Sequence, residues 1–176
     1  MTAAPAIRRL VEEDLPAYKA LRDEMLAAEP EAFTSDAETE SRRDPASYRS
    51  RFGLDRPRGG QFVIGAWQDG RLVGAIGCEH DERIKVRHIG HLIGMMVRRE
   101  VRRGGIGAAL LDACIAEAQR TPDLELLTLT VTAGNVAATK LYERAGFVRY
   151  GTLPRAIRVG ERYLDKDHMV LALRTR

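Results

Sequence analysis

Two kinds of hydrophobic periodicity run along this chain, and they predict strands and helices in alternation. Short apolar runs bounded by turn residues are typical of strands. They predict strands at 6–10, 61–67, 71–79, 92–97, 124–131, 147–158 and 162–173. Apolar residues spaced three and four apart predict helices after Asp14, which is expected to cap the first one, and over 105–119 and 135–146. The segment 29–51 is polar, helix-prone and irregular.

The turn residues and the order of elements predict the topology. Asp69-Gly70 and Val159-Gly160-Glu161 each join two strands into a hairpin. The strand–helix–strand order at 92–131 predicts a parallel pair, because a helical crossover returns the chain in the same direction. The predicted fold class is α/β (α+β), with a mixed, mostly antiparallel sheet of about six to seven strands and about four helices. No linker divides residues 1–176, which are predicted to form a single domain.

A glycine-rich turn joins the strand ending at Val97 to the next helix. It reads Arg102-Arg103-Gly104-Gly105-Ile106-Gly107, with Arg98 and Arg99 just before it. Glycines allow a tight bend that brings backbone N–H groups close to a ligand. The helix N-terminus adds partial positive charge at the same point. These features predict an anion site, and a pyrophosphate is the ligand that fits best.

Two common nucleotide-binding patterns do not fit this turn. A Walker-A loop requires Gly-Lys-Ser/Thr, whereas Ala108 follows Gly107 here. A Rossmann fingerprint places an acidic residue at the end of the next strand, whereas Asp123 precedes that strand. The pattern that fits is Arg-x-x-Gly-x-Gly, although a glycine turn with solvated arginines would have a similar sequence.

A second informative segment is 135–147, which is predicted to contain one short helix. Asn135 can cap its start, and Gly146 stands where a left-handed C-terminal cap belongs. Asn135, Ala138 and Tyr142 are spaced so that they share one helix face. That face could contact a ligand closely, or it could simply pack with the phenol half-buried.

Together these two segments resemble the GNAT superfamily of acetyl-CoA-dependent N-acetyltransferases. The first resembles the family's acetyl-CoA loop, and the second reads Asn-x-x-Ala-x-x-Leu-Tyr-Glu-x-x-Gly-Phe, in the expected order along the chain. The resemblance implies the GNAT fold, in which the two parallel strands splay apart and the cofactor lies between them. The residues that it implies for cofactor binding are Met95, Met96, Val97, Arg98, Arg102, Arg103, Gly104, Gly105, Ile106, Gly107, Ala108, Asn135, Ala138 and Tyr142.

The resemblance also implies a reaction. An acceptor amine would attack the thioester directly in a ternary complex, and a backbone N–H near Val97 would stabilise the oxyanion. Tyr142 is the predicted general acid for the leaving thiolate. His91 is the candidate base, since the alignment puts it where some family members carry a glutamate. Glu79, His80, His88 or a water relay could serve instead, and Tyr163 and His168 are further candidates for the acceptor cleft.

The acceptor itself is less well specified. Negative charge is concentrated where the family builds its acceptor wall, at Glu29, Glu31, Asp36, Glu38 and Glu40. This charge favours a cationic amine, although a solvated polar face would have the same composition.

Composition narrows the remaining classes. Of the 176 residues 44% are hydrophobic and 30% are charged, which is typical of a globular protein. No apolar run is long enough to predict a membrane span. The N-terminus lacks the features of a signal peptide. Cys78 and Cys114 lie in apolar segments without metal-ligand neighbours, so we expect reduced core thiols, no metal and a cytoplasmic protein. The net charge of +3 comes without basic–aromatic runs, which argues against nucleic acid.

Three functions therefore remain to be compared. The first is an acetyl-CoA-dependent N-acetyltransferase acting on a primary amine of a small molecule or peptide, with a homodimer possible because dimers are common in the family. The second is a non-catalytic acyl-CoA-binding sensor. The third is a nucleic-acid module that uses the arginines. A sensor does not require a proton donor for a leaving group, so Tyr142 favours the enzyme.

Overall fold

The computed structural model describes residues 4–55 and 59–173, which form one seven-stranded sheet with helices on both faces. Residues 1–3 lie outside the described residues. They belong to the N-terminal stretch considered above for a signal peptide. The strands are β1 (Ala6–Arg9), β2 (Phe62–Gln68), β3 (Arg71–His80), β4 (Ile89–Val97), β5 (Leu126–Thr132), β6 (Val148–Val159) and β7 (Arg162–Ala172). The α-helices are α1 (Leu15–Ala28), α2 (Ala37–Ser41), α3 (Ile106–Arg120) and α4 (Val136–Arg144).

The sheet has the order β1-β2-β3-β4-β5-β7-β6, and β4–β5 is its parallel pair. All other neighbouring strands are antiparallel, which confirms the predicted mixed sheet. Most predicted boundaries differ by one or two residues. Strand β4 begins at Ile89, three residues earlier than predicted, because its first residues pair with the start of β5.

The start of α1 differs from the prediction. Asp14 stands before the helix, but its side chain makes no cap hydrogen bond to α1. Its carboxylate instead accepts from Val11 N at 2.9 Å and pairs with Arg8 at 2.6 Å. The Arg8 hydrogen bond holds the pKa of Asp14 below its usual value. The short 3₁₀ turn that precedes α1 therefore uses the acceptor that the sequence assigned to the helix.

Two apolar clusters, one on each face, fix the sheet between the helices. Helix α1 contributes Tyr18, Leu21 and Met25 to one cluster. Two further aromatic residues complete it, Tyr48 within the 29–51 segment and Phe52 directly after it. Helices α3 and α4 cover the opposite face with a second cluster. Its members include Leu110, Cys114, Leu127, Tyr142, Phe147 and Met169. The sheet is thus enclosed on both sides where β4 and β5 lie.

Strands β4 and β5 pair over only three residues of each strand. Ile89, Gly90 and His91 face residues 126–128, and the ladder then stops although both strands continue. Beyond that point the two strands separate, as the resemblance implied. Between Ala75 and Gly77 of β3 the register with β4 shifts, which places Gly94 in a bulge with φ +58°.

Further predictions can be compared with the described residues. Both Cys78 and Cys114 are buried and free. None of the described helices combines the length and apolar character needed to cross a membrane. Among the described residues no cluster of His, Cys, Asp or Glu could hold a metal ion.

Candidate active site

The separated ends of β4 and β5 form the walls of a cavity of about 280 Å³ that reaches both faces of the sheet. On the α4 side it is lined by Met95, Val97, Asn135, Ala138 and Tyr142. On the α1 side the lining residues are Arg22, Met25, Glu29, Phe33, Thr34, Ser35, Arg51, Gly94, Thr130 and Lys166. Its volume is near the lower end of the ~300–1,000 Å³ that is usual for small-molecule sites.

The glycine turn adopts the conformation that its sequence predicts. Arg103 has φ +68° and Gly105, the N-cap of α3, has φ +78°, so both lie in the left-handed region. The first hydrogen bond into the helix runs from Ala109 N to Gly105 O at 3.0 Å. The N–H groups of residues 106–108 therefore have no acceptor within α3 and can bind an anion.

The turn adjoins the cavity. A Cβ atom placed on Gly107 would lie 3.5 Å from Met95 Cε and 3.5 Å from Leu141 Cδ2, so the start of α3 packs between β4 and α4. Arg102 at the beginning of the turn lines the same cavity as Tyr142. Helix α3 and strand β5 separate the two predicted motifs in sequence. In the structure the two motifs meet at one site.

The structure distinguishes among the four arginines of the turn. Arg98 is buried, its Nε donates to Leu72 O at 3.0 Å, and its guanidinium forms an ion pair with Glu24. These bonds hold it away from the cavity wall, so the expectation that it binds phosphate does not fit its position. Arg102 fits better: Nη1 contacts Glu29 at 2.6 Å and Nε donates to Val97 O at 2.9 Å.

Glu29 is the carboxylate against which Arg102 rests. It also lies 3.4 Å from the Nε of Arg99. The hydrogen bond from Arg102 is the main reason that the pKa of Glu29 is lowered. An anion at the turn would therefore compete with Glu29 for the Arg102 guanidinium.

Tyr142 lies on the inner face of α4, as its spacing predicted. Asn135 caps the helix by accepting from Ala138 N at 3.2 Å, and Gly146 after the helix has φ +95°. The Tyr142 ring packs edge-on against Phe147 with a centroid distance of 6.0 Å. Burial, with a smaller effect of Cys114, raises the pKa of Tyr142 to about 12. The phenol is therefore a neutral hydrogen-bond donor on the cavity wall at physiological pH.

The strand pairing leaves the backbone N–H predicted near Val97 available to an oxyanion. Val97 pairs with Gly74 in the β3–β4 ladder, and Arg98 N donates to Val73 O at 2.9 Å. Because hydrogen-bonded and non-hydrogen-bonded pairs alternate along an antiparallel ladder, the Val97 N–H points away from β3. The irregular backbone lies three residues earlier, at the Gly94 bulge. There the ladder passes from Gly77–Ile93 to Ala75–Met96, so two residues of β4 oppose one of β3. This bulge is therefore a second place, besides Val97, where β4 offers N–H groups that regular pairing does not use.

The candidate base His91 does not line the cavity. It is exposed on the paired part of β4, between Glu79 of β3 and Thr128 of β5, and its Nδ1 lies 2.5 Å from Thr128 Oγ1. His80, whose Nε2 contacts Arg87 O, is also outside the lining. The same holds for the remaining candidates for the base and the acceptor cleft, namely Glu79, His88, Tyr163 and His168.

Of the five carboxylates predicted to form an acidic acceptor wall, Glu29 lines the cavity and the other four do not. Glu31 pairs with Arg162, Glu38 with Arg42, and Glu40 with Arg22. Asp36 caps α2 by accepting from Thr39 N. The charges that do line the α1 side are mostly positive, namely Arg22, Arg51 and Lys166.

Those three cations were missed in the sequence. Lys166 comes from β7 and meets Thr34, which is 132 positions earlier in the chain. A basic residue in a polar strand resembles any solvated lysine, so only the antiparallel register of β5 and β7 could have indicated its position. Arg22 and Arg51 likewise lie in segments whose folding depends on long-range contacts.

Comparison with known proteins agrees with this geometry. The sequence model of the Acetyltransferase (GNAT) family matches residues 18–147. The L-amino acid N-acetyltransferase AaaT of Escherichia coli is 29% identical over 86% of this chain and 90% of its own. A match of 28% identity to N-alpha-acetyltransferase 30 of Schizosaccharomyces pombe spans 54% of this chain and 63% of that protein. The solved ribosomal-protein-alanine N-acetyltransferase of Brucella melitensis is 31% identical, with a TM-score of 0.78 over 95% of this chain and 99% of that one.

Proposed function

This chain belongs to the GNAT acetyltransferase family, and we propose that it moves the acetyl group of acetyl-CoA to a primary amine by direct attack in a ternary complex. The proposal rests on one observation. Arg102 of the glycine turn and Tyr142 of α4 line the same cavity between the separated strands. Acetyl-CoA requires a binding site for its pyrophosphate, an unpaired strand edge for its pantetheine arm and a proton donor near its sulfur.

The chain's backbone offers two sets of groups to acetyl-CoA. The free N–H groups at residues 106–108 and the Arg102 guanidinium would hold the pyrophosphate. The stretch of β4 beyond His91 has no partner from β5, so an extended pantetheine arm can pair with it as an added strand. The small side chain of Ala138, which lines the cavity, allows this arm to approach α4 closely.

The reacting carbonyl would lie beside the Gly94 bulge. An N–H group released there stabilises the negative charge that forms on the carbonyl oxygen. Tyr142 donates a hydrogen bond to the departing sulfur. With a pKa of about 12, the phenol is a weaker acid than a thiol, whose pKa is ~8.5. The phenol therefore stays protonated, and its hydrogen bond stabilises the negative charge that develops on sulfur.

Direct attack is favoured because neither cysteine of the described residues lines the cavity. Burial raises the pKa of Cys78 to about 12 and that of Cys114 well above its ordinary value. Ser35 lines the cavity, but it accepts a hydrogen bond from Arg22 and has no histidine or carboxylate partner among its hydrogen bonds to described residues. A covalent acyl-enzyme would need a nucleophile with a base beside it.

The acceptor ammonium must lose a proton before it attacks. Arg22, Arg51 and Lys166 line the acceptor side, and like charges disfavour the ammonium form. The cavity therefore lowers the pKa of a bound amine relative to its value in water. This shift raises the fraction of neutral amine that can attack at a given pH.

Two measurements test the proposed function. Calorimetry with acetyl-CoA should give saturable binding, and a panel of primary amines should release free CoA thiol with a matching acetylated product. Binding without thiol release from any amine would point to an acyl-CoA sensor and contradict the proposal. Binding of DNA with indifference to CoA would contradict both.

Arg102→Gln is expected to weaken acetyl-CoA binding about tenfold, because it removes one charged hydrogen-bond donor to phosphate. The loss should be absent for S-acetylpantetheine, which lacks the pyrophosphate. Arg42→Gln, at an arginine paired with Glu38 outside the cavity, is the matched control. Equal loss with both thioesters would show that Arg102 acts on the fold and not on the phosphates.

A further inference from the structure

The acceptor side of the cavity carries more positive than negative charge. Its cations are Arg22, Arg51 and Lys166, and the carboxylate in the lining is Glu29, which Arg102 already engages. Arg22 is neutralised by Glu40, which accepts from its Nε at 2.7 Å. The surroundings of the other two cations, Arg51 and Lys166, differ from those of Arg22.

Lys166 is the least neutralised of these cations. Its Nζ lies 2.8 Å from Thr34 Oγ1 and 3.4 Å from Thr130 Oγ1, two hydroxyls that also line the cavity. Among the described residues no carboxylate lies within ion-pair distance of it. The side chain is half-buried, and this burial lowers its pKa. A partly desolvated cation held only by hydroxyls is a good binding partner for an anion.

Arg51 is only weakly paired. Its Nε lies 3.7 Å from Glu79, too far for a hydrogen bond, and its Nη1 donates to Tyr18 Oη at 3.3 Å. Its remaining N–H groups can reach a ligand that enters the cavity. Met25, Ala32 and Phe33 of the same lining offer an apolar surface. The acceptor side thus combines anion recognition with a small apolar surface.

Resting on the proposed acetyl transfer, we propose that the acceptor is a small α-amino acid whose carboxylate binds Lys166 Nζ and the Arg51 guanidinium. Its amine then faces the β4 bulge, and its side chain packs against Phe33. A charge-bearing carboxylate beside the amine distinguishes this acceptor from a peptide N-terminus, where the same carbon carries an amide. Lys166 is thereby the residue that determines specificity.

The test compares matched pairs of acceptors. We would measure kcat/KM for L-alanine, L-leucine, L-methionine and L-phenylalanine against their carboxamides, which keep the amine and side chain but lose the negative charge. For at least one pair the wild-type protein should prefer the acid by tenfold or more. Lys166→Gln should lower that acid-to-amide ratio about 10- to 100-fold, since it removes one charged hydrogen bond.

The ratio is insensitive to how much of a variant is folded, so poor folding cannot imitate the effect. Lys166→Arg retains the cation and should keep most of the preference. Lys85→Gln, at an exposed lysine of the β3–β4 loop, should leave the ratio unchanged. If the wild-type protein acetylates carboxamides as well as acids, or if Lys166→Gln lowers both alike, this inference is wrong while acetyl transfer stands. If no amine is acetylated at all, both proposals are wrong.

Discussion

Tyr142→Phe is expected to lower kcat about 10²- to 10⁴-fold, the range typical of a positioned proton donor. The substitution keeps the ring that packs against Phe147 and removes only the hydroxyl on the cavity wall. Without the hydroxyl, its hydrogen bond no longer stabilises the negative charge on the departing sulfur in this partly desolvated site. The affinity for acetyl-CoA should hardly change, because the pyrophosphate and pantetheine contacts remain.

The pH dependence of the wild-type protein provides a second readout. Because the pKa of Tyr142 is about 12, the phenol should not contribute a descending limb to kcat below about pH 11. Tyr150→Phe, at an exposed tyrosine of β6, is the matched control and should leave kcat unchanged. If kcat of Tyr142→Phe stays within about twofold of wild type, the phenol is not the proton donor.

Glu40→Gln is expected to destabilise the protein by about 3–5 kcal/mol, because it leaves the buried Arg22 guanidinium without its counter-charge. The Glu40 carboxylate accepts from Arg22 Nε at 2.7 Å, Tyr48 Oη at 2.7 Å and Arg43 Nη1 at 3.1 Å. This network lies directly behind the acceptor wall, since Arg22 also lines the cavity. Thermal or urea unfolding at pH 7 measures the loss.

The same network predicts a particular dependence of stability on pH. Burial acts to raise the pKa of Glu40, but the hydrogen bonds from Tyr48, Arg22 and Arg43 outweigh it and hold the pKa at about 2. A depressed folded-state pKa stabilises the protein above the ordinary value of 4.5, and this contribution is lost as pH falls from 4.5 to 2. It amounts to about 3 kcal/mol.

The difference in unfolding free energy between wild type and Glu40→Gln should therefore shrink across that acidic window. Glu38→Gln is the control, because Glu38 is exposed and forms its ion pair with the exposed Arg42, so its loss should stay below about 0.5 kcal/mol. A Glu40→Gln protein as stable as wild type at pH 7 would show that the buried pair does not stabilise the fold.

The parts of the site that could be predicted from the sequence are those encoded locally. The glycine turn and the capped Tyr142 helix each depend on residues within a dozen positions of one another. Spacing along a helix then specifies which side chains share a face, and the structure reproduces this for Asn135, Ala138 and Tyr142.

The parts that sequence reasoning missed depend on distant contacts. Arg98 is buried because β3 supplies the carbonyl of Leu72, and Glu31 is engaged by Arg162, 131 positions later. For the strand before the turn, simple alternation fails at the Gly94 bulge, so it could not indicate whether His91 faces the cavity. The cationic character of the acceptor side arises only once β7 lies beside β5.

The short ladder between β4 and β5 has a consequence for solubility as well as for chemistry. A strand with unused hydrogen-bonding groups normally invites association with other chains when it lies at the border of a sheet. Here the vacant edge is internal, with α1 packed on one side and α3 and α4 on the other. The unused hydrogen-bonding groups of β4 are therefore enclosed between helices and are not presented to other chains at the border of the sheet.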